Sequence, residues 1–150
     1  MAVVIIVLLA VGWWSLDKTA PNVVAEIPMF EESSSENCML TQPQNISGQF
    51  VNTSQEVPFF TADTLRWKVC QAGTLHLDAR ATLIDTYGAY LVVALGTETL
   101  WEGEIRDETQ SISVKVPHSG WLAIAFVNDA YDPPQDRNLW LSNIEFVPAN

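Results

Sequence analysis

The sequence predicts an all-β fold, a jelly-roll-like antiparallel β-sandwich preceded by one N-terminal transmembrane helix. Three observations carry this reading. In "TLHLDARATL" (74–83) Leu75, Leu77, Ala79, Ala81 and Leu83 share one face, while His76, Asp78, Arg80 and Thr82 share the other, the period of a half-buried strand. About seven such β-rich runs recur at intervals of roughly 10 to 15 residues, the rhythm of a sandwich. An uncharged apolar run with a helical span occurs only at residues 1–16.

That first element reads "MAVVIIVLLAVGWWSL". A secretory signal would carry a basic leading segment and a small-x-small cleavage site, and neither is evident. The other reading is a retained anchor. Ala2 to Leu16 spans about 22 Å as helix, against a hydrocarbon core of about 30 Å. So short a span needs a locally thinned bilayer or partner helices over its ends. Trp13 and Trp14, followed by Asp17 and Lys18, suit an interfacial belt at the outer end. The expectation is a single-pass membrane protein held against other membrane protein subunits. Its soluble domain stands on the periplasmic or extracellular side.

Residues 17–37, "DKTAPNVVAEIPMFEESSSEN", mix Pro, Ser and Glu without sustained periodicity and read as an extended linker. Val23-Val24 and Ile27–Phe30 offer apolar contacts to a partner surface; a plain tether is the other reading. The β-sandwich domain then occupies residues 38–150. Cys38 and Cys70 lie on the translocated side, where one disulfide is expected. It would close a loop of about 32 residues and contribute about 3–4 kcal/mol. Two buried free thiols are the alternative. With His76 and His118 the pair has no zinc-ligand spacing.

Further strands are expected in "LRWKVC" (65–70), "YLVVAL" (90–95), "TLWEGEI" (99–105), "QSISVKV" (110–116), "WLAIAFV" (121–127) and "LWLSNIEFV" (139–147). Gly88, Gly96, Pro117 and Gly120 punctuate them as turns. In the last of these runs Trp140 reads as a core side chain.

Composition narrows the function. With 48% apolar residues the chain can build a core, and its formal net charge of −11 repels phosphates, so nucleic acid is not an expected partner. Cations and neutral ligands such as sugars stay open. Neither G-x-S-x-G nor H-E-x-x-H occurs, and His118 sits in a "PHSG" turn, so no enzyme is expected. Asn45 and Asn52 head N-x-S sequons that matter only in a glycosylating host.

The richest stretch is "FVNDAYDPPQDRNLW" (126–140), where Asp129, Asp132 and Asp136 crowd one loop. Three close carboxylates need compensation. Asn128-Asp129 ends an apolar strand, Asp132-Pro133-Pro134 must turn, and Asp136-Arg137-Asn138 leads into the next strand. Calcium takes six to eight oxygens from carboxylates and carbonyls on irregular backbone, which a proline-bent acidic hairpin offers. Otherwise Arg137 neutralises an aspartate and Asp132 serves the turn.

"AIAFVNDAYDPPQDRNLWLSNIEF" resembles the closing segment of the calcium-dependent xylan-binding modules, which are β-sandwich carbohydrate-binding domains. "LHLDARATLIDTYGAYLVVALGTETLWEGEI" is similar to their preceding strands. The resemblance implies a Ca2+ ion held by Asp129 and Asp136, with Asn128, Arg137 and Asn138 around it, that coordinates vicinal hydroxyls of a polysaccharide. Asp132 and Asp85 are further candidate ligands, and Tyr87 and Tyr131 candidate sugar-facing aromatics. The chain departs from the family at "IDTYGAY", where Ala89 or Tyr90 replaces an acidic residue and only Asp85 could substitute. Fewer anionic oxygens weaken a calcium site. The function expected is therefore a non-catalytic, membrane-anchored accessory subunit of a larger membrane complex. Calcium-dependent glycan binding is the alternative.

Overall fold

Side chains that alternate inward and outward leave one apolar face on each strand, and the strands pair so that those faces meet. The computed structural model describes Cys38 and residues 41–150. The expected anchor (1–16, with Trp13 and Trp14) and linker (17–37) lie outside the described residues. The strands are β1 (Val57–Phe59), β2 (Asp63–Val69), β3 (Gly73–Ala81), β4 (Ala89–Leu95), β5 (Glu98–Ile105), β6 (Gln110–Val116), β7 (Gly120–Phe126), β8 (Tyr131–Asp132), β9 (Gln135–Asp136) and β10 (Leu139–Pro148). All the pairings are antiparallel.

One four-stranded sheet runs β1-β10-β3-β6 and the other β2-β7-β4-β5, with β8-β9 as a small hairpin. Each successive strand crosses to the other sheet or returns beside an earlier one, which is the order of a jelly roll. Leu65, Leu75, Leu77, Leu91, Val93, Leu122, Ile124, Phe126, Leu139 and Leu141 fill the space between the sheets, all essentially inaccessible to water. Their burial supplies the main drive for folding, at about 1.5–3 kcal/mol for each large apolar side chain.

The expected strands all form. Two features differ from expectation. β1 escapes the sequence pattern because it has three residues and contains Pro58. It lies at a sheet edge, a position proline tolerates because no further strand needs its missing N–H. Trp140 is not core: Leu139 and Leu141 point inward, so Trp140 between them stands on the outer face. There the Arg80 guanidinium lies 4.6 Å from its ring centroid and Phe60 meets it edge-on at 6.4 Å.

The strand registers give the sandwich two distinct ends. Asp63 pairs with Phe126, Leu91 with Phe126, Phe59 with Leu139 and Leu139 with Ala81. Ala81 also donates its N–H to the Arg106 carbonyl across the sheets at 2.7 Å. The connections 60–62, 82–88, 106–109 and 127–138 therefore gather at one end. Val69 pairs with Gly120 and Gly73 with Val116 at the other. The expected Cys38–Cys70 disulfide sits there, with 5.5 Å between Cα atoms.

Candidate functional site

The acidic stretch forms the longest connection at the first end and begins where β7 runs out. Val127 continues the sheet for one bond, donating to the Tyr90 carbonyl at 3.2 Å. Asn128 then substitutes its side chain for backbone: its Oδ1 accepts the Tyr90 N–H and its Nδ2 donates to the Gly88 carbonyl at 3.1 Å. Gly88 is needed here because an added Cβ would run into the Ile105 carbonyl. Its N–H donates to Glu104 Oε1 at 2.7 Å. The start of the loop is thus fastened to β4 and β5.

Beyond Asp129 and Ala130 the chain makes the β8-β9 hairpin, with Tyr131 opposite Asp136 and the Pro133-Pro134 cis peptide at its turn. Arg137 donates its N–H to the Ala130 carbonyl at 3.0 Å and closes the loop. Thr82 clamps the exit. Its hydroxyl donates to the Asp136 carbonyl and accepts the Asn138 N–H at 2.8 Å. Asn138 Nδ2 donates to Asp136 Oδ2 at 3.1 Å. The neighbouring turn is tied on by Gln135, whose Oε1 accepts the Asp85 N–H at 2.8 Å.

The loop therefore brings Asn128, Asp129, Asp136, Arg137 and Asn138 together. Tyr131 and Asp132 face solvent on the hairpin, and Asp85 and Tyr87 lie on the adjoining turn, also exposed. Thr82, Gln135, Gly88 and Glu104 are structural supports; sequence reading gave Gly88 only as a turn and missed the other three. Three of them act from another strand or connection, and no local spacing signals such a bond.

Arg137 is the loop's own cation. It is the buried charged side chain among the described residues, at 8% exposure. Its Nη1 donates to the Asn128 carbonyl at 2.7 Å. Asp129 is exposed as a residue, yet partial withdrawal of its carboxyl from water raises its pKa above the usual carboxylate value. Repulsion from Asp136 adds to the rise, and the N–H groups of Ala130 and Ala62 and the charge of Arg137 counter it.

For calcium the fit is partial. Asp129 and Asp136 supply carboxylates, and the buried Asn138 Oδ1 has no hydrogen-bond partner among the described residues. No three His, Cys, Asp or Glu side chains group to hold a metal among those residues, however. A calcium ion would need Asp129, Asp136 and backbone carbonyls and would have to share the loop with a fixed guanidinium. If bound, it would supply a Lewis-acidic centre for sugar hydroxyls.

Neither a protein-family model nor a curated protein matches the chain. Solved structures do. The tandem family 51 carbohydrate-binding modules of a family 98 glycoside hydrolase from Streptococcus pneumoniae are similar over 72% of this chain and 36% of theirs, at 10% identity and a TM-score of 0.52. The fold resembles that of a carbohydrate-binding module. The secreted serine protease VesC from Vibrio cholerae is similar over 65% of this chain and 22% of its own, at 10% identity and a TM-score of 0.48. A family 36 carbohydrate-binding module in complex with calcium and xylotriose aligns over 75% of this chain and 95% of its own, at 14% identity and a TM-score of 0.37. The chain thus spans about a fifth and about a third of the first two structures.

The raised Asp129 carboxyl has a consequence for stability. The folded state holds this proton more tightly than the unfolded chain, so the ionised group is a liability above its folded pKa and none below its unfolded value. Asp129→Asn keeps an oxygen acceptor and removes the charge. It is expected to raise the melting temperature at pH 7, with the gain fading as pH falls through the carboxylate range. Melting curves of both proteins from pH 3 to pH 8 check this.

Proposed function

We propose that the chain is a non-catalytic, membrane-anchored accessory subunit of a larger membrane protein complex, its carbohydrate-binding-module-like domain standing on the periplasmic or extracellular side. The supporting observation is Arg137. A buried guanidinium, bonded to the Asn128 carbonyl, already puts one positive charge inside the acidic loop, where the modules this loop resembles hold a calcium ion. That charge lowers the loop's demand for a metal and so favours a role other than sugar coordination. The apolar run 1–16, about 22 Å as helix against about 30 Å of hydrocarbon, favours partner helices that cover its ends. Gentle detergent extraction of native membranes, followed by mass spectrometry of what co-purifies, is the test. A stoichiometric set of membrane proteins is expected. A monomer lacking residues 1–16 sinks the reading.

A second reading is calcium-dependent binding of a xylan-like polysaccharide. It is favoured by the mutual repulsion of Asp129 and Asp136, by the unpartnered Asn138 Oδ1 and by the exposed Tyr131. Affinity electrophoresis on soluble polysaccharides separates the two: migration retarded by xylan and restored by chelator supports sugar binding.

A further inference from the structure

We propose that the acidic loop end, remote from the point where the chain enters the domain, is a docking surface for a basic, apolar-faced protein partner. The inference rests on the accessory-subunit reading and adds where on the domain a second contact lies and what chemistry it takes.

The first observation is where the exposed large apolar side chains lie. Phe60, Tyr87 and Tyr131 stand on three different connections of the loop end, and Tyr131 is 72% exposed. Ile46, 64% exposed, is brought there by its N–H bond to Asp63 Oδ1 at 3.4 Å, at the start of β2. These connections are bonded to one another. Asp129 accepts the N–H of Ala62, and Gln135 accepts that of Asp85. The other two exposed large apolar side chains stand elsewhere: Phe50, 68% exposed, bridges Gln44 beside the middle of β2, and Val147 pairs with Thr74 at the opposite end. Scattered single apolar residues need no explanation, but a set gathered on adjoining loops marks an interaction site.

The second observation is charge. Asp85 and Asp132 are exposed beside these rings, as is Asp107 in the 106–109 connection. The cations there have partners of their own: Arg137 is buried, Arg106 lies 3.4 Å from Glu104, and Arg80, over Trp140 beside Phe60, lies 3.0 Å from Glu56. Lys68 and Lys115 belong to the other half, next to β2's end and opposite Thr74. An acidic rim around apolar side chains is complementary to a basic protein surface, which it would also steer into place. A neutral glycan gains nothing from that charge, and Ile46 has no ring face to stack on a sugar.

The third observation is polarity. The chain enters the domain at Cys38, pinned to Cys70 at the end remote from these loops. A contact at the loop end therefore lies across the length of the sandwich from the point where the linker arrives.

The test uses the full chain in its native membranes, with a photoreactive benzoylphenylalanine at position 87 or, separately, at 147. Position 87 is expected to cross-link to a polypeptide segment of net positive charge, in a yield that falls as salt is raised. Phe60→Ser with Tyr131→Ser is expected to lower that yield about tenfold, the loss of one strong anchor contact. Asp85→Asn with Asp132→Asn is expected to weaken the salt dependence. Position 147 should not reach the same segment. A saccharide adduct, a neutral or acidic segment, or no adduct at 87 while the complex co-purifies intact overturns the docking surface and leaves the subunit reading standing. A monomeric protein without co-purifying subunits overturns both.

Discussion

Phe126→Ala is expected to remove about 3–5 kcal/mol of stability, the range for emptying a buried phenylalanine site. Phe126 is 2% exposed and ends β7, paired with Asp63 on one side and Leu91 on the other. It belongs to the core cluster that residues of both sheets form. It is also the last residue of β7 before the 127–138 connection, so its loss loosens that connection as well as the core. Against a typical total of about 5–15 kcal/mol, this brings the domain close to unfolding. Urea denaturation should show a much lower midpoint with an unchanged slope.

Replacing both cysteines, Cys38→Ser with Cys70→Ser, is expected to cost about 3–4 kcal/mol, because the bond closes a loop of 32 residues whose closure entropy the unfolded chain would regain. Around the disulfide, Thr41 donates its N–H to the Lys68 carbonyl and Gln44 and Arg66 exchange backbone bonds. Residues 41–44 thus cover the free edge of β2. Without the bond that cover frays and exposes the edge to pairing with other chains. Equilibrium denaturation of the variant, and of the native chain under reducing conditions, should give matching losses.

What the sequence makes legible follows from how local each signal is. The period-2 alternation at 74–83 is a property of one segment, and β3 forms there. The loop motif is contiguous, so Asn128, Asp129, Asp136, Arg137 and Asn138 could be named together, and the structure gathers them. β1 is hidden because one proline in a three-residue strand outweighs any pattern. Trp140 misleads because a large ring between two leucines reads as core, although alternation sends it outward beneath Arg80. Thr82 and Gln135 carry no local mark at all; they matter through bonds to residues about 50 positions away along the chain. The compensation of the aspartates is of the same kind. Arg137 is visible in the sequence, but its burial depends on how the loop closes over it.

That closure is the centre of the functional account, and a melting experiment reaches it most directly. The domain is heated in excess calcium and again in chelator, with Asp136→Ala alongside. If Arg137 is the loop's own cation, the native protein melts at the same temperature in both buffers. An ion bound only by the folded state would instead add about 2.7 kcal/mol at a hundredfold excess over its Kd. A calcium-dependent rise of that order, abolished in Asp136→Ala, would contradict the account and make the loop a calcium site.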